Sequence, residues 1–127
     1  KRQGMDLTLH RCFDLTPDKS AALETAVQLG FSRILTSGGA KTAWEGAETL
    51  ARLMQQAGPR ITILPGSGIS PATLPALAHL PLREVHASCS MAERAAEAIA
   101  AFGFGPAERR VTSESAVRAL VSALAGL

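Results

Sequence analysis

Residues 7–14 read LTLHRCFD. The stretch begins as a strand and ends in an imidazole, a guanidinium, a thiol and a carboxylate: His10, Arg11, Cys12 and Asp14. Read as one strand over Leu7–Phe13, it puts Leu7, Leu9 and Phe13 on one face. Thr8, His10 and Cys12 take the other face, with Asp14 continuing it. The same punctuation recurs three times downstream: RILT at 33–36 runs into SGG, ITIL at 61–64 into PGSG, and EVHA at 84–87 into SCS.

Helical patterns separate these strands. Thr16 reads as an N-cap with Pro17 at the first helical position, and Gly30 stops that helix after Leu29. A second helix is expected from Lys41 to Ala57, with Trp44, Ala47, Leu50, Ala51 and Met54 at helical spacing before Gly58-Pro59. Ser70-Pro71 opens a short third helix that Pro75 bends or breaks. Helices are further expected over Met91–Phe102 and Ser113–Ala125.

Strands alternating with helices imply an α/β fold with parallel strands and right-handed crossovers. Parity chooses between an open sheet and a barrel. Thr36 opposes Leu35, Thr62 opposes Ile61 and Ile63, and Glu84, His86 and Ser88 oppose Val85 and Ala87. One apolar and one mixed face per strand suits a TIM-type (β/α)8 barrel better than a sheet covered on both sides. The expectation is a single domain over 1–127 holding four such units, a half-barrel.

Composition narrows the partners. Hydrophobic residues make up 46% of the 127, so the chain can bury a core. Net charge is only +2, with no basic run or aromatic-interleaved patch, so nucleic-acid binding has little support. No apolar run nears the roughly 20 residues a membrane span needs. The opening KRQGMD has no apolar stretch of a signal peptide behind it, and two widely spaced cysteines, Cys12 and Cys89, do not look like a disulfide framework. The expectation is a cytoplasmic chain with free thiols.

The strand ends carry the candidate chemistry, at the edge where parallel α/β proteins place their sites. Thr36, Ser37, Gly38 and Gly39 form one anion-binding candidate. Gly66, Ser67 and Gly68 form another, with Ser88 beyond the fourth strand. Glycine lets backbone N–H groups approach an anion, though the same glycines can simply make tight turns. No G-x-G-x-x-G or P-loop motif is met. His10, Arg11, Asp14 and His86 are candidate catalytic groups, with Glu84 a possible orienting carboxylate. Each histidine can equally be a hydrogen-bonded core residue, and Arg11 can simply pair with Asp14. Cys12 and Cys89 are the soft donors a Cu(I) ion prefers, but no C-x-x-C accompanies them, and both can equally be small buried residues.

Together the strand ends resemble the CutC family, the proteins named for copper homeostasis. The resemblance rests on LHRCFD at 9–14, RILTSGG at 33–39, ITILPGSGIS at 61–70 and REVHAS at 83–88. It extends through TPDKSAALETAVQLGFSRILTSGG at 16–39 and ERRVTSESAVRAL at 108–120. It implies a (β/α)8 barrel about twice this length, of which these motifs are the last four strands. It also implies a link to copper, with Cu(I) held through sulfur and helped by His10 or His86. Leu9, Cys12, Ser67 and Cys89 depart from the family pattern, which has Phe, Ala, Gly and Ala there. The alternative is an enzyme or binding protein for a small phosphorylated or otherwise anionic metabolite.

A half-barrel leaves two open sheet edges and an uncovered inner face. Either a preceding half is missing ahead of Lys1, which is not an initiator Met, or two chains pair as a homo-oligomer.

Overall fold

The structure, a computed structural model, describes residues 4–127; Lys1 and Arg2 of the basic opening lie outside the described residues. It divides into two compact units, one through Ala87 and one over Ser88–Leu127.

The first unit is built on three parallel strands in the order β1-β2-β3: Thr8–Leu9, Arg33–Thr36 and Thr62–Pro65. Register aligns Thr8 with Arg33 and Arg33 with Thr62, and likewise Leu9 with Ile34 and Ile34 with Ile63. Side chains alternate, so Ile34, Thr36, Ile63 and Pro65 share the buried face. Arg33, Leu35, Thr62 and Leu64 share the half-exposed one. Helices α1 (Lys19–Gln28) and α2 (Ala47–Ala57) pack on each other, and α2 packs on β3. Leu23 and Ala26 of α1 and Leu50 and Leu53 of α2 join Phe13, Ile34 and Ile63 in the core. Each large aliphatic or aromatic side chain buried this way contributes about 1.5–3 kcal/mol.

Several elements differ from the sequence expectation, each for a local reason. The first strand stops at Leu9, and Arg11–Leu15 coils into a 3-10 turn. Thr16 does not cap α1, because its hydroxyl donates back to the Phe13 carbonyl at 2.8 Å. Asp18 is the cap, accepting from the Ala21 N–H at 3.0 Å. The second helix starts at Ala47 rather than Lys41. Residues 41–46 make turns in which the Thr42 hydroxyl and N–H both donate to Glu45 Oε2 and the Ala43 N–H reaches the Ser67 carbonyl. The third helix is broken, leaving a 3-10 turn over Leu74–Leu77 with Pro75 in its first turn. The fourth strand is reduced to one parallel bridge between Gly66 and His86.

The second unit departs most. The helix expected over Met91–Phe102 is instead strand β4 (Ser90–Arg94) followed by a short helix α3 (Glu97–Ala101). β4 pairs antiparallel with β5 (Glu108–Thr112), placing Glu93 opposite Arg109. Those two side chains form an ion pair at 2.8 Å. Cross-strand pairing of this kind overrides the helical propensity of an Ala- and Glu-rich run. The last helix, α4 (Glu114–Ala125), forms where expected, capped by the Ser113 hydroxyl accepting from the Ala116 N–H. Among the described residues no helix is long and apolar enough to cross a membrane.

Candidate functional site

The 3-10 turn after β1 decides the site. At three residues per turn, positions i and i+3 stack above one another. Arg11 and Asp14, which a strand would turn to opposite faces, therefore share one side. The Arg11 Nε donates to Asp14 Oδ2 at 2.9 Å.

Asp14 then fills the first glycine loop. Its carboxylate accepts from the Thr36 hydroxyl, from the Ser37 N–H at 3.1 Å, from the Ser37 hydroxyl at 3.0 Å and from the Gly39 N–H at 3.0 Å. The Arg11 Nη2 also donates to the Ser37 Oγ at 2.7 Å. Only 8% of the Asp14 side chain is exposed. Burial pushes its carboxyl up, but hydrogen bonds from Thr36, the Ser37 N–H, Arg11 and the Gly39 N–H together hold it below the ordinary carboxylate value. The TSGG loop is thus an anion cradle whose anion belongs to the chain. The Gly38 N–H turns inward to the Thr36 hydroxyl at 2.9 Å. A methyl on Gly46 would lie 1.9 Å from the Ser37 carbonyl oxygen, so the loop and the entry to α2 meet backbone to backbone.

The second glycine loop is built differently. The Gly66 N–H donates to the Thr36 carbonyl at 3.0 Å, and the Ser67 hydroxyl donates to the Lys41 carbonyl at 2.9 Å. Ser67 holds φ at 80°, where an L side chain is strained. Gly68 sits under the Trp44 ring, whose Cζ3 would lie 2.5 Å from a Cβ there. Packing against Trp44 is therefore one thing this glycine is for, and the sequence reading did not see it. The signal was available only as a tryptophan at the start of an expected helix.

The remaining candidates do not join the Asp14 cluster. His10 is exposed; its carbonyl accepts the Phe13 N–H and the Cys12 thiol. His86 is exposed and tied to β3 through its backbone, donating to the Pro65 carbonyl at 2.8 Å. Glu84 accepts from Arg33 Nε at 2.7 Å, and the other arm of Arg33 reaches Asp6 at 3.2 Å. Ser88 belongs to the second unit, where its hydroxyl pairs with that of Ser90 at 3.1 Å.

The parity that turned Cys12 inward fails because the strand has already ended. Cys12 is exposed in the first unit, and Cys89 is half-exposed in the second. Among the described residues no group of three His, Cys, Asp or Glu side chains is placed to hold a metal ion. Cys12 and Cys89 are therefore single sulfur donors rather than members of a preformed copper site. What the cluster offers chemically is a guanidinium, 34% exposed, pinned on two sides at the strand-end edge.

The family model for CutC matches residues 1–91. A CutC family protein of Rhizobium meliloti (strain 1021) is 54% identical over 92% of this chain and 49% of its own length. One from Caulobacter vibrioides (strain NA1000 / CB15N) is 45% identical over 98% of this chain and 53% of its own. The chain spans about half the length of the curated relatives it matches. A solved CutC structure from Streptococcus agalactiae, described in connection with copper homeostasis, is similar with a TM-score of 0.61 and 28% identity. The similarity covers 66% of this chain and 42% of that one. On the family match and the shared parallel α/β architecture, the chain belongs to the CutC family.

Proposed function

We propose that the chain serves copper homeostasis in the cytoplasm, the role for which its family is named. The family match over residues 1–91 carries this reading. Copper is then cargo, taken by the exposed thiol of Cys12, with His10 two residues away, or by the half-exposed thiol of Cys89. Anaerobic Cu(I) titration under reducing conditions, with metal analysis, tests it. Stoichiometric binding that weakens in Cys12→Ser or Cys89→Ser is expected. No stoichiometric binding in the parent chain, or binding indifferent to both substitutions, overturns it.

One observation favours a second reading, a small phosphorylated or otherwise anionic ligand. The N–H donors of the TSGG loop are taken, those of Ser37 and Gly39 by Asp14 and that of Gly38 by the Thr36 hydroxyl, so the ligand's partner is the exposed side of Arg11 rather than Gly38 or Gly39. A guanidinium pinned at Nε and Nη2 has lost its rotamer freedom in advance and binds an anion at lower entropic cost. His10 and His86, both exposed in the first unit, are then the candidate proton carriers. Thermal stabilisation by phosphorylated metabolites that disappears in Arg11→Gln supports this reading; equal stabilisation of both proteins contradicts it.

A further inference from the structure

We infer that the cleft between the start of α1 and the facing side of α2 binds a small soluble phosphate ester, its phosphate held by Lys19 and Arg52. The cleft has a volume of about 580 Å³, within the range of roughly 300–1,000 Å³ usual for small-molecule sites. Residues 17–20 form one wall, and Thr49, Arg52 and Gln56 stand in the other. Arg11 does not line it, so the inference is independent of both readings above.

Two cations face this cleft without an anion. Among the described residues neither Lys19 nor Arg52 forms an ion pair. Lys19 is half-buried, and its ammonium donates only to the Thr16 carbonyl, at 3.2 Å. Arg52 donates only from Nη2, to the Thr49 hydroxyl oxygen at 3.1 Å. Most N–H donors of both groups are thus unspent, and the Thr49 hydroxyl, an acceptor there, keeps its own hydrogen to give. The second glycine of TSGG makes room for the lysine. A Cβ at Gly39 would overlap Lys19 Cε and lie 2.7 Å from its Nζ. That glycine therefore sets where the ammonium sits.

The remaining polar groups are already paired. The Ser20 hydroxyl donates to Gln56 Oε1 at 3.0 Å, and Gln56 Nε2 donates to the Ser20 carbonyl and to Glu24, which ties α1 to α2. Glu24 is in turn neutralised by Arg60 at 2.7 Å. Asp18 also lines the cleft, but its Oδ1 accepts the Ala21 N–H as the helix cap. Two cations against one carboxylate leave the cleft positive, at the positive end of the α1 dipole. A guanidinium fork, an ammonium and a hydroxyl converging on one space suit a phosphate dianion. The volume left over takes the organic part of an ester.

Isothermal titration of the chain with glycerol 1-phosphate at low ionic strength is the test, with inorganic phosphate and free glycerol alongside. Saturable binding of the ester is expected, weaker binding of inorganic phosphate, and none of glycerol. NMR amide shifts on adding the ester should centre on Lys19, Ser20 and Arg52. Lys19→Gln and Arg52→Gln should each weaken binding at least about tenfold, while Arg11→Gln should stay within about twofold of the parent. Arg52 is exposed, so its variant serves even if Lys19→Gln fails to fold. No saturation by about 10 mM ester, or binding indifferent to Arg52→Gln, overturns the inference. So does binding that only Arg11→Gln abolishes, which would return the anion to the Arg11 face. Co-sedimentation with phosphatidylglycerol vesicles, lost in Arg52→Gln and without binding of the soluble ester, would make the ligand a lipid headgroup and overturn it as well.

Discussion

Two glycine loops follow two adjacent parallel strands, and they look alike in sequence: TSGG at 36–39 and PGSG at 65–68. In the first, the loop N–H groups of Ser37 and Gly39 close on the buried carboxylate of Asp14. In the second, the loop is held by neutral contacts: the Ser67 hydroxyl on the Lys41 carbonyl, and Gly68 under Trp44. A glycine-rich turn at a strand end is permissive backbone, and its use depends on what the neighbouring element puts into it. Here a 3-10 turn supplies an anion to one loop, and an irregular helix entry supplies a ring to the other.

Substitutions sharpen this contrast in descending order. Gly46→Ala should be the most damaging, because its Cβ would collide with the Ser37 carbonyl and push the cradle off the helix entry. The expected loss is about 4–5 kcal/mol in chemical denaturation. Asp14→Asn follows, at about 2–4 kcal/mol, since it removes the charge that the Ser37 and Gly39 N–H groups and Arg11 converge on. In the second loop, Ser67→Gly relieves a positive φ while losing one hydrogen bond, so stability should stay within about 1 kcal/mol of the parent. If Ser67→Gly proves as costly as Asp14→Asn, the two loops are not different in kind.

The smallest effect belongs to Glu24, outside both loops. Arg60 and then Gln56 hydrogen-bond its carboxylate and lower it to about 2, but the pair is solvent-exposed. Glu24→Gln should therefore give a slight destabilisation that fades with added salt.

Much of this architecture was legible in the sequence. The order of the first three strands and the last helix followed from apolar periodicity and glycine stops. The side on which Leu9 lies followed from the two-residue repeat. Beyond Leu9 that repeat misled, because RCFDL is a 3-10 turn, and a period of three brings Arg11 over Asp14 where a period of two separates them. The Arg11–Asp14 pair was foreseen as a possibility, but its burial in the TSGG loop was not. That burial depends on Thr36, Ser37 and Gly39, residues more than twenty positions away in the chain, and no local pattern reports it. The SMAER segment failed for a related reason: its partner, ERRVT, lies beyond α3 and converts a helix former into a strand.

Asp14 also fixes the acid response. Its carboxyl is lowered in the folded chain from an ordinary value near 3.8. Its contribution is therefore present above that value and is lost as pH falls through the lower, folded one. The most direct test compares the stability of the parent chain with that of Asp14→Asn by urea denaturation from pH 7 downward. A gap of about 2–4 kcal/mol is expected at neutral pH. That gap should narrow below about pH 4, as protonation makes the carboxyl resemble the amide. A gap that is absent at neutral pH, or unchanged in acid, would contradict the claim that Asp14 is the anion of its own glycine loop.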